Sequence, residues 1–188
     1  MFDHGVSKGD RVVVWDNTAR ELTIPQTVFV FGHEMGHYVL DHVWKLMAFL
    51  SVMLLVFWLA HRTIGWVLAR WGERWAVRGI TDWASLPALL LVVSVFSFFV
   101  QPCANAFSRY LEHQADIYGL EVTHGLVPDS SQVAAQSFQK LGEKGFAYPT
   151  PNRVLVWWTY DHPDIASRIR FALDYRPWNS GEPTEFVK

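Results

Sequence analysis

The sequence predicts a mainly α-helical chain with a small β element, in which a transmembrane helical hairpin separates two helices that carry metal-ligand side chains. Three observations lead there. Two long runs are apolar on every face. An HExxH pentapeptide lies just ahead of the first run, and the carboxylates Glu112 and Asp116 lie just beyond the second. At 188 residues the chain fits one domain, 1–188, large enough to bury a core.

Composition narrows the class. Of all residues 51% are hydrophobic and only 18% charged, with ten Trp and a mean hydropathy of +0.09. A soluble domain usually carries about 25% charged residues, so this chain is short of solvating side chains. These values exclude a disordered chain, a disulfide scaffold and a polyelectrolyte nucleic-acid binder, so no nucleic-acid partner is expected. A net charge of −2 gives no bulk attraction to phosphate or to anionic lipid. With Cys103 as the single cysteine, an internal disulfide and a Cys-rich metal cluster are both excluded.

The elements follow in chain order. Residues 11–15, RVVVW, are β-branched and bounded by charge, which predicts a strand, followed by a turn at Asp16, Asn17 and Thr18. This strand suits equally an edge that pairs with an extended substrate or a plain core strand. Thr23 is the expected N-cap of a first helix, with Pro25 in its opening turn. The flanks Val28–Phe31 and Val39–Leu40 predict that this helix is buried.

Next comes the membrane hairpin, about 44–107. Its first run, 46–60, is broken only by Ser51 and resumes after His61 and Arg62. Its second, 86–100, is broken only by Pro and Ser. Neither core alone reaches the roughly 20 residues of a spanning helix, so a buried helical pair is the competing reading. Trp44, Trp66, Trp71, Trp75 and Trp83 favour the membrane, because they cluster where an interfacial aromatic belt would lie. Arg62 suits either snorkelling at the far interface or a polar cavity in a larger bundle. Charge counting leaves orientation open. The connecting loop holds Arg70, Arg74 and Arg78, against Lys45 and Arg109 at the other end, so by itself the positive-inside rule leans toward a cytosolic loop.

Beyond the second run a helix is expected to continue to Gly119 as its stop, followed by helices over 130–144 and 163–175 and a loose polar tail, 178–188.

The first helix carries His33-Glu34-Met35-Gly36-His37. Residues i and i+4 share a helix face, so His33 and His37 can bind one Zn²⁺, while Glu34 can hold the water that the metal acidifies. Chance alone produces HExxH often enough that context must decide. A catalytic zinc wants a third protein ligand and an open position. The metzincin extension is absent, since Leu40 and Val43 stand where its Gly and His would be. Glu112 is the best candidate. From His37 to Ala69 the chain climbs 32 positions, and from Trp83 to Glu112 it returns 29. At about 1.5 Å per residue these legs are near 48 and 44 Å, which brings Glu112 back to the level of His37. Asp116, one turn on, suits a carboxylate accepting from a ligating imidazole, and an ordinary exposed position is its alternative. His113 and His42 fall off the ligand face and read as bystanders.

HEMGHYVLDH running into an apolar helix, SRYLEHQAD at the foot of a second, and then DHPDIASRI resemble the integral-membrane zinc metallopeptidases of the CAAX prenyl protease and HtpX-like family. Three motifs in order, from RVVVWDNT to about Leu173, carry the likeness. It implies a zincin-like metallopeptidase region with one zinc held by His33, His37 and Glu112, with Glu34 as general base and Asp116 behind the ligands. His162 is implied near the tetrahedral intermediate, and Arg168 matches the family's following Arg. On its residues alone His162 reads as a capped turn before Pro163, and Arg168 equally suits pairing with Asp116. The resemblance implies a peptide or protein substrate, membrane-associated or prenylated, in a lipid bilayer, with the catalytic region on the cytoplasmic side. Family members carry several transmembrane helices ahead of this region. The chain begins almost at RVVVWDNT, so it is expected to be either the catalytic part, with further transmembrane helices missing from it, or a reduced form.

The function expected is a zinc-dependent membrane endopeptidase. The alternative is a non-catalytic zinc-containing membrane module that binds or scaffolds partners, and an intact metal site without turnover would mark it.

Overall fold

The computed structural model describes residues 20–188. The RVVVW segment and the turn after it lie outside the described residues. Among the described residues there is no strand, only an isolated bridge between His124 and Val127.

Helix α1, Ile24–Val39, begins as expected at Thr23. The Thr23 hydroxyl accepts from the Gln26 amide, and the Gln26 side chain accepts from the Thr23 amide at 2.9 Å. This reciprocal cap satisfies donors that a helix start otherwise leaves open. Only one face of α1 is buried, at Phe29, Gly32, His33 and Gly36, while Phe31 and Glu34 are exposed. The uniformly buried first helix expected from its apolar flanks is therefore corrected to an amphipathic one.

Asp41 ends this segment in the left-handed region, with φ 57°. Helix α2, His42–Trp71, then runs 30 residues without a break at His61 or Arg62. Gly72 and two short 3₁₀ turns, Glu73–Trp75 and Trp83–Ser85, reverse the chain. Asp82 pins the reversal by accepting from the amides of Arg78 and Ala84, both at 3.1 Å. Helix α3, Leu86–Thr123, returns over 38 residues.

By length and composition α2 and the α3 segment are long and apolar enough to cross a membrane. Only 6% and 11% of their most apolar windows are buried, whereas the core helix of a soluble protein would be mostly buried. The buried-pair reading fails on this point. The hairpin holds itself together through a small cluster at Ala60, Ile64 and Val92, and through Phe49 stacked on Phe107 with centroids 4.6 Å apart. Leu54, Phe57, Leu91 and Phe99 are exposed, as apolar side chains on a lipid-facing surface would be. Arg62 is exposed on α2 rather than buried in a cavity of this chain.

Helix α4 spans Ser130–Lys144 as expected, and the Asp129 side chain caps its start. It is followed by α5, Arg153–Thr159, α6, Ile165–Asp174, and α7, Pro177–Ser180. Phe29, Leu120, Ala134, Phe138 and Ala172 form the core where α1, α3, α4 and α6 meet.

Two expectations fail here for physical reasons. Gly119 does not stop α3, which continues to Thr123. It is instead where α1 crosses: a Cβ at Gly119 would lie 3.1 Å from the His33 amide nitrogen, and one at Gly36 would lie 3.1 Å from the Ala115 Cα. Small residues on both helices allow the backbones to touch. The tail is not loose either. Trp178 stacks on His124 at 3.9 Å, and the buried Glu121 carboxylate accepts from the amides of Glu185, Phe186 and Val187 at 2.6–2.9 Å. The Tyr175 hydroxyl donates to the same carboxylate at 2.5 Å. A buried carboxylate needs donors, and the end of the chain supplies them.

Candidate metal centre

The close crossing of α1 and α3 sets His33 and His37 against Glu112 and Asp116. The two Nε2 atoms are 3.2 Å apart. His33 Nε2 lies 3.5 Å from Glu112 Oε2, and His37 Nε2 lies 3.4 Å from Glu112 Oε1. One ligand atom from each of the three residues falls within 4.8 Å of the others, so the set can hold a metal ion. The hairpin thus returns Glu112 to the level of the two histidines, as the helix arithmetic requires.

The donor set fits a divalent metal on chemistry as well as distance. Each imidazole turns its Nε2 inward and has its Nδ1 occupied from behind. His33 Nδ1 is 2.9 Å from Asp116 Oδ1, and Asp116 is almost completely buried. Its charge is matched by Arg168, which donates from Nε and Nη2 at 2.9 and 2.6 Å and lies 4.2 Å above the Phe138 ring. The electrostatics ask for a cation. Burial disfavours charge on His33, yet the Asp116 and Glu112 carboxylates outweigh it and push the imidazole up to about 9. Burial and then the charge on His33 pull His37 down. Two nitrogens this close cannot share the site as two imidazoliums, whereas one metal ion satisfies both with the carboxylate.

Glu34, one residue round from His33, lines a cavity of about 260 Å³ together with His37, Glu112, His162 and Arg168. His162 enters from the loop between α5 and α6. Its Nε2 is 3.5 Å from Glu112 Oε1, and its Nδ1 is 3.0 Å from Asp161. The end of α5, which leads into that loop, is tied to α3: Arg109 donates to the carbonyls of Val156 and Tyr160, and Asn105 donates to that of Trp158.

All seven residues singled out by sequence, His33, Glu34, His37, Glu112, Asp116, His162 and Arg168, therefore gather at one place. His113 does sit apart, packed on Phe171 at 4.4 Å between ring centroids. His42 does not. Its Nδ1 lies 2.9 Å from His37 Nδ1, which corrects its reading as a bystander. In an unbroken helix residues 37 and 42 would point about 140° apart. The left-handed Asp41 swings α2 back, and no sequence pattern signals that kink.

Comparison with known proteins supplies the family. Residues 2–176 match Peptidase family M48. A Bacillus subtilis protein described as the uncharacterized metalloprotease YhfN is 36% identical over 169 residues, covering 89% of this chain. The CAAX prenyl protease 1 homologs of Homo sapiens and Dictyostelium discoideum are each 27% identical, over 77% and 75% of this chain. The chain spans 38%, 30% and 33% of the lengths of these three relatives. With three motifs, one clustered donor set and a family match over most of its length, the chain belongs to Peptidase family M48.

Proposed function

We propose that the protein is a zinc-dependent membrane endopeptidase. The observation that carries this reading is the convergence of His33, His37 and Glu112 on one point beside the Glu34 carboxylate, in a chain of a metallopeptidase family. His33 and His37 would hold the metal through Nε2 and Glu112 through a carboxylate oxygen. A bound zinc supplies a Lewis acid for the scissile carbonyl and lowers the pKa of water.

The chain's own residues do the rest. The Glu34 carboxylate accepts the proton of the attacking water and later returns it to the leaving amine. His162, with Asp161 beside its Nδ1 and its Nε2 toward Glu112, would be the donor to the developing oxyanion. Asp116 fixes the His33 ring, and Arg168 balances the buried Asp116 charge. The apolar hairpin beside the site favours a peptide substrate that is itself membrane-associated, and the CAAX prenyl protease 1 homologs extend that class to prenylated chains.

The test is zinc content and peptide cleavage by the protein in lipid nanodiscs. Glu34→Gln is expected to keep its zinc while cleavage falls by about 10²–10⁴-fold, the usual worth of a general base. Cleavage at the wild-type rate by a zinc-loaded Glu34→Gln variant would remove Glu34 from the mechanism. A wild-type protein that takes up no zinc would remove the whole reading.

A further inference from the structure

We infer that His42 is a positioning residue for the metal site, holding the His37 ring through a neutral imidazole–imidazole hydrogen bond. The inference rests on the metal reading above and deepens it.

An imidazole that binds a metal through Nε2 carries its proton on Nδ1 and must donate it. For His37 the acceptor at hydrogen-bond distance is His42 Nδ1, at 2.9 Å, with the rings edge to face and 4.9 Å between centroids. Accepting there fixes the His42 proton on Nε2. That nitrogen is buried, and the Gln114 side chain near the ring is already engaged by Lys45 and Tyr110, so Nε2 closes no well-formed hydrogen bond among the described residues. His42 itself is only 3% exposed. An orphaned buried donor is costly, so the ring is not placed for its own satisfaction. Its position serves His37. Asp41 makes that position possible, since its φ of 57° turns the first residue of α2 back onto the last turn of α1.

The two metal histidines are thus backed by different groups. His33 has the Asp116 carboxylate, neutralised by Arg168, and His37 has an uncharged ring. A second carboxylate behind His37 would add an anion to a site that already holds Glu112 and Asp116. It would make the metal a weaker Lewis acid. A neutral acceptor orients the ring without that charge.

Asn and Leu are nearly isosteric, and Asn Oδ1 falls close to where His Nδ1 stood, so His42→Asn restores an acceptor and His42→Leu does not. The readout is zinc affinity of the protein in nanodiscs by competition with a fluorescent chelator, with apo-protein melting temperature recorded beside it. His42→Leu is expected to weaken zinc binding by about 10–100-fold, the usual effect of losing a group behind a metal ligand, and His42→Asn to stay within about threefold of wild type. His42→Phe is a second acceptor-free variant should His42→Leu not fold. Wild-type zinc affinity in whichever acceptor-free variant folds, or a folded His42→Asn as weak as that variant, overturns the inference. A wild-type protein without zinc affinity defeats the metal reading instead, so the two failures are distinct.

Discussion

The two ends of helix α3 obey opposite rules although no break separates them. Over 86–100 only Val92 is buried, and Leu91 and Phe99 face outward. From Ala115 to Thr123 every residue but Val122 is buried, including the acids Asp116 and Glu121. The first stretch needs no partner for its apolar side chains if lipid surrounds it. The second surrounds its acids with built-in donors, Arg168 for Asp116 and the chain end for Glu121. On the proposed membrane reading one helix changes solvent along its length, and the candidate metal centre lies just past the change. Stability of the site end should depend on paired polar groups and close backbones, whereas that of the hairpin end should depend on neither.

The largest expected effect comes from Arg168. Arg168→Leu removes the guanidinium from the buried Asp116 and leaves it His33 alone, which costs up to about 3–5 kcal/mol and appears as a lower melting temperature of the apo protein in nanodiscs. An unchanged melting temperature would show that Asp116 does not depend on this partner. Next is Tyr175, whose hydroxyl donates to Glu121. Tyr175→Phe is expected to cost about 1.5–3 kcal/mol, read by chemical denaturation. Burial, and after it Glu121, raise the Tyr175 hydroxyl pKa above its ordinary value of 10.0. The folded state thus prefers the protonated phenol. That contribution is complete below pH 10 and fades as pH rises beyond it, so alkaline destabilisation should be weaker in Tyr175→Phe. The smallest pair sharpens the contrast most. Gly119→Val drives a branched side chain into the His33 backbone and is expected to cost about 1–3 kcal/mol, while Leu90→Ala on the exposed hairpin face should leave the melting temperature nearly unchanged. Equal effects at both positions would erase the distinction between the two ends.

Much of this was legible in the residues, and the failures share a cause. Thr23 and Pro25 announce the start of α1 through local chemistry. Glu112 could be found because two helices of matched rise must bring it back to His37. The seven site residues stand in motifs whose spacing is local or helical. What could not be read depends on tertiary choice. Gly119 carries the same letter whether it ends a helix or admits another backbone. A polar tail looks unattached until the buried Glu121 is placed beneath it. His42 reaches His37 only through the left-handed Asp41, a conformation that an aspartate tolerates but does not signal. The small β element lies outside the described residues.

In the proposed enzyme the hairpin returns Glu112 to the two histidines of α1 around one metal ion. The direct measurement is zinc bound per chain in nanodiscs, wild type against Glu112→Ala, at the same buffered free zinc. One zinc per wild-type chain is expected, with little or none in the folded variant. Equal zinc in both would contradict it.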